Sequence, residues 1–481
     1  MSPVELVAPG ALALGSAELE RLEARLHRAV RRARRGRTGE VLATFTVALP
    51  QAIDPTAVVV ASRGSGEPWF VFEQPDSDAA ALATLGCAAA LEAAGPDRFT
   101  TVAERWRVLA RDALADAPEG PRGSGPVAVG GFAFAPDGGA APHWTGFAPA
   151  SLHVPQVALA RRGEEVRMTL AALVRPDDDP AEIAERLRAR AAALRQAPLP
   201  LLDPDPVVTS RVVSAMPPEH YEDAVARAVE RIRAGALDKV VLAREVQVHA
   251  ASAHDAGALL GVLRDAFHEC HVFAVGRGEQ VFLAASPELL VRREGLRIGT
   301  LALAGSTRRS ADPAVDDHLG EQLLRSAKDR VEQAIVVRRI VRALQPLSVW
   351  VTPADEPVLA RVANIQHLAT PIRAQLRDPV SVVELAGALH PTPAVGGEPL
   401  EVAAPLIPAL EGLDRGWYAG PVGWVDDHED GEFCVALRCA LISGAVARCY
   451  AGVGVVRDSD PAAELAETEI KLQALLPVLA S

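Results

Sequence analysis

Apolar positions recur along the chain with two periods, one helical and one alternating. Leu19, Leu22, Leu26 and Val30 fall at helical spacing over residues 16–35, with Gly36 just past the end, and predict an amphipathic helix. β-Branched and aromatic residues then rise in three runs, 41–47, 57–61 and 69–72, each predicting a strand. A helix is expected over 79–94, a Gly/Pro loop over 117–126, strands over 127–134 and 166–174, and a helix over 181–196. Tyr221, Val225, Val229 and Ile232 mark a helix over 219–234. Strand patterns follow at 239–246, 271–275, 281–285, 289–293 and 296–303. Most of their turns are too short for parallel crossovers, so they predict hairpins. One long helix is expected over 313–344, with Leu323, Ala327, Val331, Ala334 and Val341 as its apolar stripe. A shorter helix over 380–389 and strands over 418–425, 433–442 and 446–453 precede a last helix, opened by Asp460 as N-cap and Pro461. Hairpins mixed with long helices predict the α+β class rather than an alternating parallel fold.

The proline-rich stretch 197–218 divides a motif-poor segment, residues 1–205, from a motif-rich one, residues 206–481. Residues 207–213 have strand composition, which would tie the two into one sheet. With 49% hydrophobic and 23% charged residues, the chain falls outside the disordered and collagen-like classes. A net charge of -13 argues against a nucleic-acid or membrane-surface partner. The basic turn Arg31, Arg32, Arg34 and Arg35 does not change this, since cations at a helix C-terminus complement the helix dipole. Five cysteines without metal-ligand spacing fit reduced thiols. No run nears the roughly 18 apolar residues of a membrane span, and no signal pattern opens the chain, so a cytoplasmic location is expected.

Candidate chemistry is acidic. Asp329 and Glu332 lie one helical turn apart, and Glu464 and Glu467 repeat that spacing, with Lys471 one turn further. Two such faces can hold one hard cation, and magnesium suits them, taking one or two carboxylates and filling its other positions with waters and substrate oxygens. In the long helix, periodicity alone puts Asp329 and Glu332 on a solvated face. In the last helix, Leu465, Ile470, Leu472, Leu475 and Leu476 flank the acids, which therefore need a lysine or a metal as partner. Lys239 opens an apolar strand, where loss of hydration favours the neutral amine of a general base; the plainer reading is an edge-strand lysine that discourages aggregation. Glu288 reads equally as a strand-end acid, and His367 and His390 as hydrogen-bonded structural residues. Glycines at 305, 396–397, 452 and 454 allow close backbone approach to a ligand. No GxGxxG opens a helix, so there is no case for a dinucleotide site.

Eight segments, in order, resemble the chorismate-utilising enzymes: isochorismate synthase, salicylate synthase, anthranilate synthase component one and aminodeoxychorismate synthase. They are Lys239-Val-Val-Leu-Ala-Arg244, Ala285-Ser-Pro-Glu-Leu-Leu290, Leu303-Ala-Gly-Ser306, Lys328-Asp-Arg-Val-Glu332, His390-Pro-Thr-Pro-Ala-Val-Gly-Gly397, Arg415-Gly-Trp-Tyr-Ala-Gly420, Ala451-Gly-Val-Gly454 and Glu464-Leu-Ala-Glu-Thr468. The first half matches more loosely, through residues 69–72 and 130–134, and resembles the variable N-terminal part of isochorismate synthases. The resemblance implies two packed, mainly antiparallel sheets flanked by helices, as in anthranilate synthase component one. It further implies Mg2+ on Glu332 and Glu467, with Asp329 and Glu464 supporting them and Lys471 balancing the acids. Tyr418 and Arg438 would hold the enolpyruvyl carboxylate of chorismate, and the backbone at Gly305, Ser306, Gly452 and Gly454 would approach its carboxylates. In family terms Lys239 is the base of enzymes that add water, Glu288 the acid that protonates the leaving C4 hydroxyl, and Ala394 the isochorismate synthase residue where pyruvate-eliminating salicylate synthases tend to carry threonine. Gln333 departs from the histidine many relatives carry after the metal glutamate. The expectation is thus a monomeric, magnesium-dependent isomerase, an isochorismate synthase feeding menaquinone or siderophore biosynthesis. Salicylate synthase is the alternative, and a non-catalytic chorismate-binding protein the rival from another class.

Overall fold

The computed structural model describes residues 6–480 apart from 9, 37–38, 117–119 and 203–209. Strict alternation along two neighbouring strands sets the layering. In Gly66–Gln74, Phe70 and Phe72 enter one core while Trp69 and Val71 enter another. In His271–Gly278, Phe273 and Val275 join the first and Val272 and Ala274 the second. The two strands pair antiparallel, Val272 opposite Glu73 through Gly276 opposite Trp69, so the sheet they build is buried on both faces.

That sheet has twelve strands. From one edge it runs through Val41–Leu49, Glu165–Val174, Val157–Arg162, Ala80–Leu85, Gly66–Gln74, His271–Gly278, Gln280–Ser286, Cys439–Ser443, Val446–Val455, Lys239–His249 and Gly397–Glu398, with Arg211–Ser214 also paired to Lys239–His249. A second sheet of ten strands runs through Ser348–Pro353, Ile365–Leu376, Arg297–Arg308, Leu289–Glu294, Gly431–Val435, Pro421–Asp426, Val127–Phe132, Ala150–Val154 and Ala89–Ala93, with Val358–Arg361 on Ile365–Leu376. The strand ladders are antiparallel, and the α+β expectation matches this architecture. Phe132 and Phe433 of the second sheet share the first core with Phe70 and Phe273. Helices Ser16–Ala33, Pro180–Ala193 and Ala256–Ala266 cover the second core through Leu26, Leu187 and Leu263. Each sheet draws strands from both sides of the proline-rich stretch, whose residues 203–209 lie outside the described residues. The predicted strand over 207–213 is described only from its second half, where Arg211–Ser214 pairs in the larger sheet.

Several elements differ from the pattern, each for a physical reason. The run 57–61 is part of a helix, Pro55–Ser62, because the Asp54 carboxylate caps the N–H groups of Thr56 and Ala57 and Pro55 takes the first helical position. An apolar run with no polar position carries no periodicity to separate helix from strand. Residues 79–94 form two strands, Ala80–Leu85 and Ala89–Ala93, in different sheets. Leu82 enters the first core and Ala83 the second, and positive φ at Asp78, Ala79 and Gly86 turns the chain at both ends of the first strand. The long helix 313–344 is two helices, Pro313–Arg325 and Ala327–Leu344, parted at Ser326, whose hydroxyl accepts from Asp329 N at 3.3 Å as an N-cap. Residues 433–442 are two strands, Gly431–Val435 and Cys439–Ser443, one in each sheet. The pattern also passes over helices Arg98–Arg111 and Ala256–Ala266 and strands Ala150–Val154 and Val157–Arg162.

A buried ionic triad fastens the two segments. Arg264 of the helix Ala256–Ala266 meets Asp54 at 2.7 Å and Glu73 at 2.9 Å, all three buried. Arg264→Met leaves two carboxylates buried without their cation. It is expected to cost about 3–5 kcal/mol, read as a lower urea midpoint at unchanged slope; a midpoint within error of the parent would refute the triad's role.

Candidate functional site

Two strand crossovers carry the site. Gln280–Ser286 and Cys439–Ser443 pair in the larger sheet, while their continuations Leu289–Glu294 and Gly431–Val435 pair in the smaller one. Both chains therefore change sheets side by side, at residues 287–288 and 436–438. The seam is stitched by Ser286 Oγ donating to Val435 O at 2.5 Å, Val435 N to Glu288 O at 3.0 Å and Ala285 N to Arg438 O at 3.2 Å. Arg438 sits there at φ 50°, a conformation that a non-glycine residue adopts only when its surroundings hold it.

A cleft enclosing about 760 Å³, its mouth included, opens over this seam. Glu288 and Arg438 line it from the crossovers, Gly305 and Ser306 from the strand Arg297–Arg308, and Asp329 and Glu332 from the first turns of Ala327–Leu344. Gly452 and Gly454 come from Val446–Val455, and Glu464, Glu467 and Lys471 from the helix Pro461–Leu472. Tyr418 and Ala394 complete the wall. Of the candidate glycines, Gly396 and Gly397 lie off the cleft, and of the residues given a role in chemistry or binding only Lys239 is not on its surface. It is fully buried just behind it, at the start of Lys239–His249, where Glu398 of the two-residue strand Gly397–Glu398 pairs with it, so it is no exposed edge lysine.

Lysines and carboxylates interlock around the cleft. Lys239 Nζ stands 2.7 Å from Glu332 Oε1, off the hydrogen-bonding direction, so the contact is an ion pair that leaves its donors unspent. Glycine at 454 allows it: a Cβ there would lie 2.5 Å from Glu332 Oε1 and 2.7 Å from Lys239 Cε. Lys471 Nζ meets Glu467 Oε1 at 2.8 Å and donates to Gly452 O at 2.9 Å, and Ser306 Oγ donates to Glu467 Oε1 at 2.7 Å. Lys328 Nζ meets Glu464 Oε1 at 3.2 Å. The apolar stripe expected for the long helix is thereby displaced. Val331 is 61% exposed while Glu332 is 9%, because Ser326 restarts the helix and turns Glu332 inward onto Lys239.

The groups differ in how their charge is met. Burial pushes the Glu288 carboxyl up to about 8, against the pull of Lys239, Arg438 and Lys471, so it keeps its proton at neutral pH. Burial, together with the negative charges of Glu332 and Glu467, also raises Asp329, although the Ser326 hydroxyl donates to it. Glu464 is raised, by burial first and by the charge of Glu467. Glu467 ends below the usual range, its burial outweighed by Lys471 and Ser306. Arg438 is lowered by burial. Its Nη2 donates to His367 Nε2 at 3.0 Å, its Nε has no partner, and among the described residues no carboxylate forms an ion pair with it. His367 lies well below its usual value through burial and the nearby Arg438. It stays neutral, with Nδ1–H donating to Gly305 O at 3.3 Å and Nε2 accepting from Arg438.

The donor set fits a hard divalent cation. Two helices present carboxylates, Asp329 and Glu464 among them raised by burial first and by neighbouring negative charge after it, and the ion pairs of Glu332 and Glu467 engage Oε1, leaving Oε2 of each outside those contacts. No three of these acids lie within 4.8 Å of one another. Among the described residues, Asp426, Asp427 and His428 do, in a turn between strands outside the cleft. Two carboxylates with waters and substrate oxygens suit magnesium better than a preformed cage would.

Sequence reasoning passed over Lys328 and Tyr450. The hydrophobic pattern carries no trace of them, since Lys328 pairs across to another helix and Tyr450 stacks on Tyr418 at 5.2 Å. His367 and His390 are both hydrogen-bonded as expected, His367 between Gly305 O and Arg438 in the cleft wall and His390 with its Nε2–H donating to Phe134 O at 2.9 Å.

The family profile described as chorismate binding enzyme matches residues 26–480. A salicylate biosynthesis isochorismate synthase of Pseudomonas aeruginosa is 39% identical over 442 residues, covering 92% of this chain and 90% of that protein. The solved structure of MenF, the menaquinone-specific isochorismate synthase of Escherichia coli, superposes with a TM-score of 0.76 at 28% identity over 96% of this chain and all of that one. Anthranilate synthase component I of Streptococcus pneumoniae shares the fold, with a TM-score of 0.58 at 19% identity, over 72% of this chain and 79% of that one.

The raised Glu288 carboxyl has a consequence for stability. The folded state holds a proton that the unfolded chain releases near 4.5, so the contribution is fully present below that pH and is lost as pH rises to about 8. Glu288→Gln removes the ionisation. The variant should gain on the parent by at most about 1.4 kcal/mol per pH unit across this window, measured as urea midpoints at pH 5, 7 and 9; a constant difference would show that Glu288 ionises normally.

Proposed function

The chain belongs to the chorismate binding enzyme family, and from that premise we infer that it is an isochorismate synthase, an isomerase that converts chorismate to isochorismate for menaquinone or siderophore biosynthesis. One observation carries the reading. A single cleft combines a buried carboxyl that keeps its proton at neutral pH, Glu288, with a buried lysine, Lys239, behind the wall opposite in charge. Water addition needs both, a base for the entering water and an acid for the leaving hydroxyl.

In this reading Lys239 acts as the neutral amine, released from its ion pair with Glu332, and takes a proton from water as the water attacks C2 of chorismate and the C2–O bond forms. The ring double bonds shift, the C4–O bond breaks, and Glu288 passes its proton to the departing hydroxyl, which leaves as water. One water enters and one leaves, and a proton returning through solvent from Lys239 to Glu288 restores both. Arg438 and Tyr418 take the enolpyruvyl carboxylate. The absence of a carboxylate partner for Arg438 supports this role, since a buried guanidinium with an unspent Nε–H is suited to a carboxylate brought by the substrate. His367, neutral and wedged between Gly305 O and Arg438, keeps the guanidinium oriented. Magnesium is the cofactor that the acids suit, held by Glu332 and Glu467 with Asp329 and Glu464 beside them. When bound, it supplies positive charge for the ring carboxylate. Ser306, Gly305, Gly452 and Gly454 shape the wall against the carboxylates. Ala394 favours the isochorismate outcome, because its methyl offers the enolpyruvyl group no hydroxyl. All the residues given roles lie in one chain, and the chain is proposed to act as a monomer. The unpaired thiols of Cys87, Cys270, Cys434, Cys439 and Cys449 support a cytoplasmic location, and no helix among the described residues is long and apolar enough to cross a membrane.

Incubated with chorismate and magnesium, the purified chain should yield isochorismate without pyruvate by chromatography; salicylate and pyruvate as main products would instead make it a salicylate synthase. Lys239→Ala and Glu288→Gln should each lower kcat about 10²–10⁴-fold, with folding retained by circular dichroism. Near-normal turnover in either would remove that residue from its role. Turnover of the parent should fall as pH passes about 8, where Glu288 loses its proton, and a profile flat to pH 10 would contradict its use as the acid.

A further inference from the structure

A second cavity, about 1680 Å³ with its mouth included, opens on the far side of the loop 390–397. Pro391 faces this cavity while Ala394 and Val395 line the cleft, so the loop is the partition between them. The deep wall is aromatic and aliphatic, with Phe99, Phe134 and Ile407 buried, and Pro136, Ala404 and Pro408 form an exposed rim.

Most polar groups in this wall are already satisfied. Arg415 makes a bidentate pair with Glu411 at 3.0 and 2.5 Å and donates to Val395 O and Val241 O. Asp414 accepts from the N–H groups of Gly139, Ala141 and Gly416. Arg98 is the exception. It is 4% exposed and lies over the Phe99 ring at 4.7 Å, its Nη atoms hydrogen-bond only the main-chain carbonyls of Gly95, Ala133 and Phe134, its Nε has no hydrogen-bond partner, and among the described residues no carboxylate forms an ion pair with it. Burial pulls it down to about 10, opposed only by Asp137 at a distance.

We propose that this cavity is a second ligand site, separate from the cleft, that takes a small aromatic carboxylate with its ring against Phe99, Phe134 and Ile407 and its carboxylate on Arg98. The chemistry selects that class. A neutral arene leaves the buried guanidinium as unpaired as before, and inorganic phosphate leaves the aromatic wall empty, whereas an arene carboxylate meets both. The proposal does not depend on the reaction assigned to the cleft, because it is read by binding.

The test is titration calorimetry of the full chain with 2-naphthoate. Wild type should bind one equivalent. Arg438→Met, which removes the carboxylate anchor of the cleft, should bind with the same Kd. Ala404→Trp fills the mouth without touching the Arg98 contacts; it should weaken binding at least tenfold while keeping the Tm and chorismate turnover of wild type. Arg98→Met should weaken it similarly, and if that variant does not fold, Ala404→Trp against Arg438→Met still decides. 2-Naphthamide, which lacks the charge, should bind at least tenfold more weakly than 2-naphthoate. No binding to wild type would overturn the proposal, as would binding lost in Arg438→Met but kept in Ala404→Trp, or equal binding of the amide.

Discussion

Charge removed from water must be met by charge, and three lysine–carboxylate pairs do so around the cleft: Lys239 with Glu332, Lys471 with Glu467 and Lys328 with Glu464. Two of these pairs join different elements. The first ties a strand of the larger sheet to the helix Ala327–Leu344, and the third ties that helix to Pro461–Leu472. The helices that carry the acids are therefore placed by the acids' own counterions. Glu288 and Asp329 have no lysine of their own, and both are pushed upward by burial. The unequal distribution of lysines gives one wall its surplus of negative charge and leaves the crossover with a carboxyl that keeps its proton.

Such pairs are possible only where the backbone gives way. A side chain at Gly454 would collide with both Lys239 and Glu332, one at Gly305 would meet Asp329 at 2.9 Å, and one at Gly452 would meet Tyr418 Oη at 2.8 Å. The paired crossovers do the corresponding work on the other wall. Because two hydrogen-bonded strands leave one sheet and enter the next together, Glu288 and Arg438 are delivered to one place on rigid backbone instead of on a loose loop.

Arg415 links this cleft to the rest of the molecule. Its guanidinium stacks 4.3 Å over Phe134, in the wall of the second cavity, while donating to Val395 O and Val241 O, and both of those residues line the cleft. The loop that presents Ala394 to one cavity thus rests on a side chain anchored in the wall of the other.

The order of most elements and the α+β class were legible along the chain, because hairpin spacing and caps are local properties, and the motif segments named in advance most of the residues that the structure brings to one cleft. Periodicity failed where an element is buried on both faces or interrupted. Residues 57–61 and 80–85 have no polar face to mark their period, the exposed Ala90 and Glu92 of Ala89–Ala93 make too short a run to set one, and a single serine cap at Ser326 splits one apparent helix into two. That break also reversed the reading of Glu332, which looks solvated in an unbroken helix and is in fact turned onto Lys239. Only the tertiary structure decided which lysine meets which acid, that Arg438 donates to His367, and that Glu288 keeps its proton. Those outcomes depend on distance and on exclusion of water between residues far apart in sequence, neither of which a linear pattern encodes.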